Sequence, residues 1–196
     1  MQNKIKFLLN LVLLLVILTG CATLPKPVNK RDLLLKNTNK WSNFSLEGIA
    51  NINYKQLTFR KMILIKKNND SFLANIIDSG VMGMNPTPFA SIKIDSSLTI
   101  SMMGNTQKVP ISSQLISSYF NSDFVMKHQN EIIKNLEYQT EQVSIYWNEE
   151  MQVIRISSQD ILAKMNYDFK GDLAKLDIYY QEELVLEIIV DEIIYK

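Results

Sequence analysis

The sequence predicts a mainly β domain of the α+β kind: a curved antiparallel sheet forming an incomplete barrel, with a mid-chain helical lid. Three observations carry that expectation. From Trp41 onward apolar and polar residues alternate over long stretches, which is the two-residue period of half-buried strands. Short polar turns break the alternation at intervals suited to hairpins. Between Pro110 and Leu136 the alternation stops and apolar residues recur at helical spacing.

The elements follow in chain order. In "FSLEGIANINY" Phe44, Leu46, Gly48, Ala50, Ile52 and Tyr54 oppose Ser45, Glu47, Asn51 and Asn53. "QLTFRKMILIKK" puts Leu57, Phe59, Ile63 and Ile65 on one face, although Met62 and Leu64 stand on the other. "KNND" at 67–70 has hairpin-turn chemistry, and "SFLANIID", "FASIKID" and "LTISMM" continue the meander. "PISSQLISSYF" reads as a helix with Leu115, Ile116, Tyr119 and Phe120 on one side. A second helix opens at Ser122-Asp123, where the carboxylate complements the positive helix end, and runs toward Leu136. Four more segments close the chain: "VSIYWN", "MQVIRISS", "ILAKMNYDFK" and the long pair "LAKLDIYYQEE" and "LVLEIIVDEIIYK". A sheet of nine to eleven such strands must cover its apolar concave face, and the helices are the material at hand.

The beginning of the chain reads differently. Lys4 and Lys6 precede an apolar run from Phe7 to Leu18, followed by Leu18-Thr19-Gly20-Cys21. The run is too short for a stable membrane span and has the form of a secretory signal. The four residues at its end resemble the lipobox of bacterial lipoproteins, which implies cleavage after residue 20 and acylation of Cys21. Residues 1–20 are therefore expected to be a signal peptide, 21–40 a lipidated cysteine with a Pro-containing tether (Ala22 to Asp32) and the N-terminal segment after it, and 41–196 one domain. Two or more acyl chains hold a protein stably on a bilayer where one does not. Ala22, in place of Asp, favours sorting to the periplasmic face of the outer membrane.

Composition narrows the function. The formal charge is +1, and loss of Lys4 and Lys6 leaves 1 − 2 = −1, which disfavours nucleic acid as a partner. Cys21 is the single cysteine and His128 the single histidine, so disulfides and cysteine-based metal sites lack their residues, and a Ser-His-Asp or Cys-His arrangement would have to run through His128. No phosphate-binding glycine fingerprint occurs. No cofactor, metal or catalytic residue is expected. His128 reads as a helix-edge residue, and the acidic pairs near residues 149, 182 and 191 as solvated charge.

The lipobox, the proline-containing tether, Trp41 heading "WSNFSLEGIANI", the strand meander, the mid-chain helix at "PISSQLISSYF" and the closing "LDIYYQEELVLEIIVDEI" together resemble the outer-membrane lipoprotein receptor family, the LolB-like branch of the lipoprotein-localisation (LolA/LolB) fold. The resemblance implies a half-barrel with an apolar cavity under a helical lid, which accepts acylated lipoproteins or another amphiphile from a soluble periplasmic carrier and inserts them in the outer membrane. Cavity-lining residues would be Phe44, Leu46, Ile63, Ile65, Phe72 and Ile76 from the strands, with Leu115, Tyr119, Phe120 and Ile132 from the lid. The family's protruding apolar loop finds its counterpart in "GVMGMNPTPF", where Val81, Met82 and Met84 would enter the membrane. These residues can equally fill a solid core, which keeps open a non-catalytic structural lipoprotein that assists an envelope complex.

The magnitudes explain the cavity. Burying a methylene is worth about 0.8 kcal/mol, so a bare chain of about fourteen costs on the order of 11 kcal/mol in water. If the lipobox operates, Cys21→Ser abolishes incorporation of radiolabelled fatty acid and leaves the chain unprocessed or soluble; normal labelling of that variant would end the lipoprotein reading.

Overall fold

The structure is a computed structural model that describes residues 29–54, 56–69, 71–78, 88–95, 97–102, 105–109 and 122–196. Helix α1, Lys30–Lys40, comes first. Six strands follow: β1 Asn43–Tyr54, β2 Leu57–Asn68, β3 Ser71–Ile77, β4 Pro88–Ile94, β5 Leu98–Met102 and β6 Asn105–Val109. Helix α2, Ser122–Asn135, separates them from β7 Glu137–Gln139, β8 Ser144–Trp147, β9 Val153–Ser158, β10 Ile161–Tyr167, β11 Leu173–Tyr180 and β12 Glu183–Tyr195. All twelve form one antiparallel sheet in the order β6-β5-β4-β3-β2-β1-β12-β11-β10-β9-β8-β7. The two edges are not joined, so the sheet is not closed into a barrel.

Each half is a meander of hairpins, and the turns obey local chemistry. Asn69, Gln159, Gln181 and Glu182 adopt positive φ at 47°, 47°, 49° and 69°, in tight connections that match the strands' twist. Gly171, at φ 79°, closes the β10–β11 turn. The two halves meet only where β1 pairs with β12, from Phe44 opposite Tyr195 to Ile52 opposite Leu186.

That junction contains a bulge. Glu47 faces Glu192 and Gly48 faces Val190, leaving Asp191 unmatched. The extra residue changes the parity of β12, so Tyr195 and Ile193 share a face with Val190, Ile188 and Leu186. A Cβ on Gly48 would sit 2.2 Å from the Ile189 carbonyl oxygen, a backbone atom with nowhere to go.

Three elements depart from the expectation. Lys30–Lys40, assigned to the tether, is a helix of the fold: Asn29 caps it by accepting from the Arg31 amide at 3.1 Å, and Leu34 is fully buried. Only Leu34 and Thr38 are buried, with Leu33 and Leu35 half-buried beside them, and Thr38 satisfies its hydroxyl on the Leu34 carbonyl. Strands β6, "NTQKV", and β7, "EYQ", are short polar edge strands without alternation. The second mid-chain helix is α2, and it starts at Ser122 as its sequence indicates. The helix expected at 110–120 lies outside the described residues, as do Leu115, Tyr119, Phe120, Val81, Met82, Met84 and Cys21.

Two clusters form the core. Phe44, Leu46, Ala50, Ile63, Ile65, Ala74, Leu173 and Ile188 pack at the centre of the sheet. Leu34 of α1 with Val125 and Ile132 of α2 cover Ile145, Trp147, Met151 and Val153 on the C-terminal half. Gly48→Ala is expected to destabilise the fold by about 3 kcal/mol in urea denaturation, because the clash is with backbone; an unchanged midpoint would show that β12 can retreat.

Candidate functional site

The ladders allow one face to be followed across ten of the twelve strands, from β8 to β5. Cross-strand partners Ile145–Ile156–Ala163–Ile178–Leu186–Ile52 run from β8 to β1. On the other side Leu46–Ile65–Ala74–Ile92–Ile100 run from β1 to β5. Bulges at Ala174 and Ile154, besides that at Asp191, restore the phase whenever it would be lost. The result is a continuous apolar inner face.

This face differs at its two ends. At the end where β12 finishes, here the near end, Phe44 and Leu173 are buried and Trp41 stands edge-on to Phe44 and Tyr195, with ring centroids 5.3 and 6.4 Å away. Lys40 of α1 lies over the Tyr195 ring at 4.7 Å. At the far end the same face exposes Leu57, Phe59, Met102, Ile161 and Tyr180, at 39–60 % of their surface. Four of these are the first or last residues of β2, β5, β10 and β11. Ile92 and Ile100, midway along β4 and β5, are also exposed. Isolated apolar side chains on a surface need no explanation; seven on one face do.

The expected cavity residues fall into three groups. Phe44, Leu46, Ile63 and Ile65 are buried in the central cluster, against which Phe72 and Ile76 pack half-buried. The sheet thus brings all six together on the inner face. Ile132 is fully buried in the other cluster, beneath α2. Sequence reasoning placed Leu57 and Phe59 on the same side as Ile63 but missed Ile92, Ile100, Met102, Ile161 and Tyr180. Their alternation is visible, whereas their position at an uncovered end is a tertiary fact. Ile77 pairs with Pro88, so the connection carrying Val81, Met82 and Met84 leaves and returns at the far end.

A cleft of about 590 Å³ opens at the near end between α1 and the β9–β11 region. Leu33, Lys36 and Lys40 line it on the helix side, facing Met165, Tyr167 and Phe169. Tyr167 donates to the Val153 carbonyl at 2.7 Å. Burial raises the Tyr167 phenol well above its ordinary value, helped by nearby Tyr195, and pushes Tyr195 up to about 12.

The outer face carries a polar row, although Ile189 and Ile194 are also exposed there. Asn51, Glu187, Asp177, Lys164, Arg155 and Tyr146 form one cross-strand row. Opposed Glu187 and Asp177 would repel, but the Lys175 ammonium lies 2.7 Å from Glu187 and 3.1 Å from Asp177. The contact to Asp177 is an ion pair by distance without hydrogen-bond alignment. Lys175 and then Asn51 hold the Glu187 carboxyl below its ordinary value. His128 packs between Phe124 and Tyr138, with centroids 4.9 and 4.5 Å away, as a helix-edge aromatic. Among the described residues no group of His, Cys, Asp and Glu has the arrangement of a metal site, and no helix is long and apolar enough to cross a membrane.

Compared with protein-family models and with curated proteins, the sequence matches none. The geometry therefore stands as the basis for function.

The buried phenols give an alkaline signature. Unfolded tyrosines ionise near pH 10, while Tyr195 in the fold holds its proton to about 12 and Tyr167 holds its own more firmly still. Between those values the native state binds more protons than the unfolded one, so stability is full below about pH 10 and falls as pH rises through the native values. Melting temperature should drop over that window, and Tyr167→Phe with Tyr195→Phe should flatten the drop. An equal drop in the double variant would place the ionising groups elsewhere.

Proposed function

We propose that this chain is a membrane-anchored, non-catalytic lipid-binding lipoprotein of the periplasm, which receives the acyl chains of lipoproteins or a similar amphiphile on its inner face and helps to insert them in the outer membrane. The observation that carries the reading is the asymmetry of that face. Beside β12 it is covered at the near end by Trp41, Phe44 and Tyr195, whereas at the far end the described residues leave Leu57, Phe59, Met102, Ile161 and Tyr180 exposed as an apolar rim. A surface of this kind is costly in a protein that never covers it, and an acyl chain is a fitting cover.

Chemistry at the rim requires no cofactor. Acyl chains leave water because each methylene gains about 0.8 kcal/mol on burial, and the open sheet supplies mainly aliphatic contacts without directional demands. The inner faces of β4 and β5 offer Ile92, Ile100 and Met102 for the same purpose. The connection with Val81, Met82 and Met84 begins and ends beside the rim, which suits the role in membrane insertion expected from its composition. A soluble carrier would present its cargo to this end.

A second reading has its own support. Phe44, Leu46, Ile63 and Ile65 are buried as tightly as an ordinary core, which fits a structural lipoprotein assisting an envelope complex. Ligand binding separates the two. Ile100→Glu and Met102→Glu change exposed positions, so the fold should survive; binding of a fluorescent fatty acid should weaken about tenfold or more, since a carboxylate replaces apolar contact. Lys93→Glu, in the same sheet but on its outer face, should leave binding unchanged. No binding by the unsubstituted chain would favour the scaffold.

A further inference from the structure

The β10–β11 turn at the near end, Asp168 to Asp172, holds the most exposed large apolar side chain of the described residues. Phe169 is 94 % exposed. A phenylalanine so placed stabilises no core, yet the turn under it is firmly built. Asp168 Oδ1 accepts from the Lys170 amide at 2.8 Å and from the Asp172 amide at 2.9 Å. The Gly171 amide donates to the Asp168 carbonyl, and the Gln152 side chain donates to the Gly171 carbonyl at 2.9 Å. Lys40 of α1 pairs with Asp172 at 3.2 Å. A rigid mount with an exposed aromatic at its tip is what an interface contact requires, because little ordering entropy remains to be lost on binding.

The geometry points to a lipid bilayer as the surface that receives Phe169, with the near end of the domain resting on the membrane and the apolar rim facing away. This inference rests on the lipid-anchored reading and adds the orientation of the domain to it. Chain length supports the bilayer over a protein partner. From Cys21 to Asn29 is eight peptide steps, at most about 30 Å when fully extended. Lys30, the first residue of α1, is ion-paired with Glu149 in the β8–β9 turn, and Asn37 donates to the carbonyls of Glu150 and Met151. Gln152 then links that turn to the turn of Phe169. Anchor attachment and aromatic tip consequently share one end of the sheet.

Charge agrees with this. Lys170 stands beside the exposed ring, 5.6 Å from its centroid, and Lys36 faces the same cleft. Of the nearby carboxylates, Glu149 and Asp172 are ion-paired, Asp168 accepts from backbone amides, and Glu150 lines the same cleft as the two lysines. The far turns present Asp160, Glu182 and Glu183 to solvent, whereas the near tip presents Lys170. An aromatic beside lysines is suited to the headgroup boundary.

The orientation places the open rim where a soluble carrier can reach it. Delivery then requires the domain to tip over on its tether, bringing the far end to the bilayer.

Depth measurement on the full-length, acylated chain in vesicles of phosphatidylethanolamine and phosphatidylglycerol tests the inference. Phe169→Trp places a reporter at the tip, and Gln159→Trp places one in the β9–β10 turn at the far end; both positions are exposed, and circular dichroism verifies each fold. Trp41 and Trp147 contribute a common background. With lipids brominated near the headgroup, Trp at 169 should shift to the blue and be quenched at least about twofold more than Trp at 159, as expected for an aromatic at the headgroup–acyl boundary. Equal quenching, stronger quenching at 159, or none at either position would overturn the orientation. Absence of quenching with Cys21 acylated overturns the orientation alone and leaves a protein as the partner of Phe169. Absence of acyl label on Cys21 overturns the anchored reading and this inference with it.

Discussion

Everything in this molecule depends on the ladder between β1 and β12. It joins residues separated by most of the chain, Phe44 to Tyr195 at one end and Ile52 to Leu186 at the other. Without it the strands would form two six-stranded meanders, each with an edge to spare. With it they become one sheet, and two apolar faces become one face. The junction tolerates little variation, because β12 carries an extra residue opposite Gly48 and its backbone passes where a side chain would stand. Such a long-range pairing must pay its loop-closure entropy before any contact rewards it, so its formation should come late in folding.

Given the ladder, the helices decide which part of the inner face is hidden. Leu34, Val125 and Ile132 spend their apolar surface on β8 and β9. Trp41 and Tyr195 close the near end, aided by Lys40 above the Tyr195 ring. Little of the described structure is left to cover Leu57, Met102, Ile161 and Tyr180, which stay exposed at the far end. On the outer face Lys175 bridges the opposed Glu187 and Asp177 carboxylates. One surface is finished and the other is not, and the unfinished one is the candidate for ligand.

Much of the fold was legible in the sequence because a strand with one wet face must alternate. The segment around Phe44 alternates clearly and those around Ile63, Ala74, Ile145 and Ile188 less cleanly, and the structure forms strands at all of them. Turn chemistry was equally local: Asn69, Gln159 and Gly171 lie where positive φ is needed. Legibility failed where burial is slight. β6 is polar throughout, β7 has three residues, and α1 buries only Leu34 and Thr38. Of the candidate site, Leu57 and Phe59 could be put on the correct face by parity. Phe169 could not be recognised, since an exposed phenylalanine and a buried one are the same letter in the sequence.

By itself the sequence determined the alternation, the hairpin turns, the start of α2 at Ser122 and the lack of residues for disulfides or a histidine-rich metal centre. These are properties of neighbours along the chain, for which side-chain period and backbone propensity suffice. Tertiary structure alone decided that the two meanders share one face, that the bulge at Asp191 keeps that face in phase, and that aromatic rings cover the near end beside β12 while the described residues leave apolar side chains exposed at the far end. Exposure is a relation between residues far apart in sequence. Ile188 is buried and Ile161 exposed on the same apolar face, and the difference lies only in what the rest of the chain brings to each.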